Sequence, residues 1–187
     1  MEFFRKGLEE VITLPAPHIP DEVEVKQVAE IVATRTERDV KSVMDHDRVP
    51  FFAIQKVCDK HGLKFHPQEF KDIIYQQTPV INHFKKFFKR KRPVEVMPSL
   101  NTLPSETNKT RAYPSGHACQ ATVVARYVAG KVPRLERELM AAARECGYGR
   151  VLAGFHYVSD YEIGNLLGEK LYIFMNKADY GQETEDE

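Results

Sequence analysis

Apolar residues along this chain recur at helical rather than strand spacing. Val25, Val28, Ala29, Ile31 and Val32 fall three and four apart behind Asp21, which reads as an N-cap, and Val40, Val43 and Met44 mark a second short helix. Helices are predicted over Phe51–Lys60 and Pro67–Phe88. The latter carries Phe70, Ile73, Ile74, Val80, Ile81, Phe84 and Phe88 on a broad apolar face, with a kink expected at Pro79 and a stop at Pro93. Helical spacing resumes over Ser115–Gly130, Pro133–Leu152 and Tyr157–Asn176. Between these elements lies a long loop, 94–113, rich in Pro, Asn, Ser and Thr, and loops of that length in compact domains commonly carry function. The proline-rich stretch 15–20 is expected to set an N-terminal helix and linker (1–20) apart from one domain (21–178), and an acidic tail (179–187) is expected to be disordered.

Composition narrows the partners. The chain has 187 residues, 42% of them hydrophobic and 29% charged, with a formal net charge of zero, so no global field favours nucleic acid or an anionic membrane. No apolar run approaches the ~20 residues of a membrane span, and the first residues lack the apolar core of a secretory signal. A cytoplasmic setting with no membrane partner is therefore expected. Cys58, Cys119 and Cys146 have no metal-ligand spacing and read as buried free thiols. Neither Asp45-His46-Asp47 nor the scattered His18, His46, His61, His66 and His83 form a convincing ligand set. No metal and no cofactor are expected, and Asp45-His46-Asp47 reads as a solvated turn.

Chemistry concentrates in three segments. Lys85 and Arg92, seven residues apart, are predicted to leave one helix face, the arginine offering a planar fork and the lysine a point charge to a phosphate. Taken alone, the run from Lys85 to Arg92 fits a solvated basic face or a nucleic-acid patch equally well. Pro114-Ser115-Gly116-His117 is more specific, expected by chance at on the order of 10⁻⁵ per position or less. At the opening of a helix, Ser115 and Gly116 can turn N–H donors toward an anion, and an N-cap serine alone leaves His117 unexplained. In the third segment, helices meeting between Ala153 and His156 put Asp160 four residues after His156. A carboxylate there can take the Nδ1 proton and leave Nε2 free to attack, while Arg150 reaches the same pocket.

These three segments, Lys85-x6-Arg92-Pro93, Pro114-Ser115-Gly116-His117 and Arg150-x5-His156-x3-Asp160, resemble the signature of the type 2 phosphatidic acid phosphatase superfamily, which includes the bacterial class A non-specific acid phosphatases and the vanadium haloperoxidases. Leu14-Pro15-Ala16-Pro17 and Thr34-Arg35-Thr36-Glu37-Arg38 are similar to segments of the class A enzymes. The resemblance implies an all-α, single-domain helical bundle with the site among helix ends. It implies His156 as nucleophile, His117 as general acid and base, Asp160 orienting His156, and Lys85, Arg92, Ser115, Gly116 and Arg150 holding the phosphoryl oxygens. The family usually has serine before the third arginine. Here Gly149 stands there, removing one supporting hydrogen bond.

The reading that follows is a soluble, metal-independent phosphomonoesterase acting on a small phosphorylated metabolite such as a nucleotide or sugar phosphate, with the 94–113 loop as the wall that selects it. A vanadate-dependent haloperoxidase and a non-catalytic phosphate-binding module are the alternatives, and a homo-oligomer is left open.

Overall fold

The computed structural model describes residues 2–181, and its regular elements are helices throughout. They are α1 (Leu8–Val11), α2 (Asp21–Ala33), α3 (Glu37–His46), α4 (Phe52–Lys60), α5 (Pro67–Phe88), α6 (Pro93–Val96), α7 (Gly116–Lys131), α8 (Glu136–Leu152) and α9 (Val158–Gly181), with a 3₁₀ turn at Pro133–Leu135. The bundle centres on α7, which packs along both α8 and α9. Its core gathers Leu8, Ile54, Phe70, Ile73, Val124, Val128, Leu139, Leu167 and Leu171. Two glycines let α9 approach this closely: a Cβ at Gly164 would sit 2.5 Å from the Ser115 carbonyl oxygen, and one at Gly168 2.7 Å from Thr122 Cβ. That contact carries the start of α7 against the start of α9.

Several local expectations change. The N-terminal piece is not set apart, because Phe3, Phe4, Leu8 and Ile12 are buried in the main core and Gln76 Oε1 accepts from the Phe3 amide. Pro20 occupies the N-cap of α2 and Asp21 is its first helical residue. A capping box at Thr36 and Asp39 opens α3, with Thr36 Oγ1 accepting from the Asp39 amide and Asp39 Oδ2 from the Thr36 amide. α5 continues through Pro79 and stops at Phe88, where Lys89 turns left-handed at φ 52°; Pro93 opens α6 instead of closing α5. α9 extends to Gly181, past the expected end at Asn176 and into the span expected to be disordered; 182–187 lie outside the described residues.

The loop is tied down along its length. Leu103 N–H reaches the Ala153 carbonyl, Ala112 N–H reaches that of Arg90, and Arg35 Nη1 bridges the carbonyls of Asn101 and Leu152. Leu100 and Ala112 pack under α2 with Val25, Val28 and Tyr157.

Candidate active site

Three chain reversals build the site. The first follows α5, where the turn at Lys89 ends helical geometry. Lys85 therefore lies in the last turn of α5, whereas Arg92 is the extended residue before α6, and the two do not share a helix face. They converge nonetheless. Lys85 Nζ donates to the Arg111 carbonyl, and Arg92 donates through Nε to the Thr110 carbonyl at 2.7 Å and through Nη1 to the Phe155 carbonyl at 2.8 Å. Burial first, and then the neighbouring Arg92 charge, bring the Lys85 ammonium down to about 7.

The second reversal is the start of α7. Ser115 caps it, its Oγ accepting from the Ala118 amide at 3.4 Å. The Ser115 N–H is taken by the Asp160 carbonyl at 2.9 Å, so this expected anion donor is already engaged. At Gly116 an added Cβ would meet Ile81 Cγ2 at 3.6 Å and Lys85 Cε at 4.0 Å, ordinary contacts that place this residue beside the lysine. His117 is partly exposed, and its Nε2 lies 2.9 Å from the Asp47 carbonyl, an acceptor only, so that nitrogen carries the proton. Desolvation and then the Arg150 charge hold His117 well below its ordinary value.

The third reversal closes α8 and opens α9. Gly154, at φ +79°, follows the Ala153 cap. Its N–H bonds the Val151 carbonyl and the Phe155 N–H bonds the Arg150 carbonyl, a Schellman turn. His156 emerges just before α9 rather than on it. Asp160, in the first turn, accepts from the Tyr157 amide at 2.9 Å and from His156 Nδ1 at 3.2 Å through the same Oδ2. A helix cap, not a helical face, thus brings carboxylate and imidazole together. With Nδ1–H on Asp160, Nε2 holds its lone pair and accepts from Arg92 Nη1 at 2.9 Å. Burial first, then Arg92, Lys85 and Arg150, keep His156 neutral, far below the imidazole norm.

Two buried groups that the sequence reading passed over organise these parts. Arg90, 4% exposed, sends Nη1 to Asp160 Oδ1 (2.8 Å) and Ser159 Oγ (2.7 Å), Nη2 to Glu24 Oε2 (2.7 Å) and Nε to Asp21 Oδ1 (2.9 Å), and lies 3.9 Å over the Tyr157 ring. Burial works against its charge, but Asp160 and Glu24 outweigh it and hold the guanidinium protonated. Burial pushes Asp160 up to about 6, with Arg90 pulling the other way. Nothing in a run of basic residues marks which one turns inward.

Asp47 is the other. The predicted solvated turn is instead a buried junction: Asp47 Oδ1 accepts from Arg150 Nη2 at 2.7 Å, Ser105 Oγ at 2.6 Å and Thr107 Oγ1 at 3.0 Å, and Oδ2 from the Glu106 amide at 2.8 Å. Burial opposes its ionisation, yet the bonds from Ser105 and Arg150 outweigh it and hold Asp47 below the usual carboxylate range. His46 is buried as well, with Nδ1 on the Ser42 carbonyl and Nε2 accepting from the Ala53 amide. Arg150 Nη1 is buried with no hydrogen-bond partner among the described residues. At Gly149 an added Cβ would meet Val43 Cγ2 at 3.5 Å, an ordinary contact, so packing does not demand glycine there. Among the described residues no group of three His, Cys, Asp or Glu side chains is placed to hold a metal ion.

Lys85, Arg92, Arg150, Ser115, Gly116, His117, His156 and Asp160 therefore converge on the ends of α5, α7, α8 and α9. Two non-specific acid phosphatases, from Salmonella typhi and Salmonella typhimurium, are each 32% identical to the chain over 87 residues, 45% of this chain and 35% of theirs, so the match spans little more than a third of those relatives. A transmembrane PAP2-type phosphatidylglycerolphosphate phosphatase from Bacillus subtilis superposes with a TM-score of 0.49 at 18% identity, covering 86% of this chain and 85% of that one. A family model described as the PAP2 superfamily matches residues 74–181, more than half of the chain and all three motifs, and the chain belongs to that superfamily.

Proposed function

We propose that the chain is a soluble, metal-independent phosphomonoesterase of the cytoplasm that hydrolyses small phosphorylated metabolites, such as nucleotides or sugar phosphates, through a phosphohistidine on His156. The observation that carries this reading is the fixed tautomer of His156: Nδ1–H faces Asp160, and the Nε2 lone pair faces the guanidinium of Arg92 among buried cations. A module that only bound phosphate would need the cations and not the oriented imidazole.

In the first step Nε2 attacks phosphorus, forming the N–P bond as the bond to the leaving oxygen breaks, and His117 gives that oxygen its proton. In the second, His117 takes a proton from water, the water oxygen attacks phosphorus, and the N–P bond breaks to release phosphate and neutral His156. Arg92 must exchange His156 for a phosphoryl oxygen, freeing the lone pair it holds at rest. Arg150 has Nη1 to offer without leaving Asp47, and the first-turn amides of Gly116 and His117 complete the cradle. A bound dianion favours a proton on His117, working against the desolvation and the Arg150 charge that keep it neutral at rest. Its Nε2–H is committed to Asp47, so the ring turns, or uses its other nitrogen, to serve the leaving group.

The acid phosphatase relatives support the reaction class. The buried, unpaired Cys58, Cys119 and Cys146 suit a reducing compartment, and among the described residues no helix is long and apolar enough to cross a membrane. The test is hydrolysis of a chromogenic monoester in the presence of a chelator, with competitive inhibition by vanadate, whose trigonal-bipyramidal form resembles the transition state. Loss of activity on chelation, restored by a divalent ion, refutes the mechanism.

A further inference from the structure

A cavity of 670 Å³ opens beside the site, and Lys85 and Arg92, two of the proposed phosphate ligands, belong to its lining. Around them stand Lys86 from α5, Lys109 and Arg111 from the loop, and one carboxylate, Glu95. That carboxylate is already engaged on both oxygens, Oε2 with the Arg92 amide at 2.6 Å and Oε1 with Arg111 Nη1 at 3.1 Å. Lys86 and Lys109 have no ion-pair partner among the described residues. The cavity therefore presents five cations against one occupied carboxylate, in a chain whose net charge is zero.

One scissile phosphate does not account for this excess. Its oxygens have Arg92, Lys85, Arg150 and the α7 amides. Lys86, Lys109 and Arg111 share the cavity with Lys85 and Arg92, so a leaving group that extends into it meets them. An uncharged leaving group would leave Lys86 and Lys109 facing water, whereas a second anion would meet them with little else to compete. The size of the cavity suits a small metabolite, within the usual ~300–1,000 Å³ of ligand sites.

We infer that this cavity is a subsite for a second phosphate, next to the one that Lys85 and Arg92 hold, so that the preferred substrates carry two phosphates a few bonds apart. The inference rests on the phosphomonoesterase reading and narrows its substrate class. It also gives Lys86 a part, although register along α5 alone would turn it away from Lys85.

The experiment compares kcat/KM for 1,3-propanediol bisphosphate with that for the monophosphate of the same diol, in the wild type and in the Lys86→Gln/Lys109→Gln double variant. In parallel, calorimetry measures the binding of inorganic pyrophosphate and of phosphate to both proteins. The bisphosphate is expected to be favoured by about tenfold or more, well beyond the statistical factor of two, and the double variant brings the ratio back toward that factor. Raised ionic strength lowers the wild-type ratio in the same direction. Monophosphate turnover with no preference for the bisphosphate overturns the subsite and leaves the phosphatase reading standing. If neither ester is turned over, that reading fails, and calorimetry still decides the subsite: pyrophosphate binding tighter than phosphate, lost in the double variant, supports it, and equal binding overturns it.

Discussion

The two sides of the site are built differently. On the nucleophile side, Glu24, Arg90, Asp160 and His156 form an unbroken buried chain, with each charged group facing an opposite charge. On the acid side, His117 rests on a backbone carbonyl and Arg150 is held by Asp47 through one nitrogen while Nη1 has no partner among the described residues. A fully satisfied network is rigid, because breaking any member strands a buried charge. A half-satisfied one has capacity left for a ligand. Under the proposed mechanism the rigid side orients the nucleophile, and the side with capacity left receives the phosphoryl group and the leaving oxygen.

Removing each histidine is the harshest way to break the contrast. His156→Ala is expected to abolish turnover whatever the leaving group. His117→Ala is expected to lose about 10²–10⁴-fold on alkyl esters and much less on an activated phenol, since a phenolate departs with little help from an acid. Equal losses on both ester classes for His117→Ala would remove the distinction between the sides.

Arg90→Met cuts the nucleophile side one residue further back. It strands Glu24 and withdraws the charge that favours ionised Asp160, so kcat should fall more than KM changes, by about tenfold or more, with stability lowered by about 3–5 kcal/mol. Glu24→Gln added to Arg90→Met should recover part of the stability but not the rate. Recovery of both would make Arg90 a purely structural residue.

The pH profile is a milder probe. Asp160 works ionised and lies at about 6, so kcat/KM should rise as pH passes upward through that value; Lys85 works protonated and lies at about 7, so it should fall above that. A bound dianion favours protonated Lys85, which moves the basic limb of kcat higher. Arg90 pulls Asp160 down, so Arg90→Met should move the acid limb upward, and a downward move would contradict the pairing.

Gly149→Ser carries the smallest expected effect. The added Cβ meets only an ordinary contact at 3.5 Å, so stability should change by no more than about 0.5 kcal/mol, measured by thermal unfolding, and activity should hold or rise slightly.

What the sequence disclosed follows the same division. The residues proposed to meet the phosphoryl group come in short spacings, and the grouping of Lys85, Arg92, His117, Arg150, His156 and Asp160 is legible from them. The reasons for their placement were less so: Arg92 arrives through a left-handed turn at Lys89, and His156 meets Asp160 across a cap. The supporting charges were hidden. Glu24 has the look of an ordinary helix glutamate, Arg90 is one of six cations between Lys85 and Arg92, and Asp47 sits in a tripeptide that reads as a turn. Their roles depend on partners from 58 to 135 positions away, which no local pattern encodes. Thr36 to Asp39, by contrast, carried a readable capping signal that the apolar spacing of α3 understated.

The most direct test of the central claim is to trap the intermediate. Brief reaction with a phosphate ester, an acid-free quench and peptide mass spectrometry should find phosphate on His156, with none in His156→Ala. Phosphate on His117, or turnover without any phosphohistidine, would contradict the account.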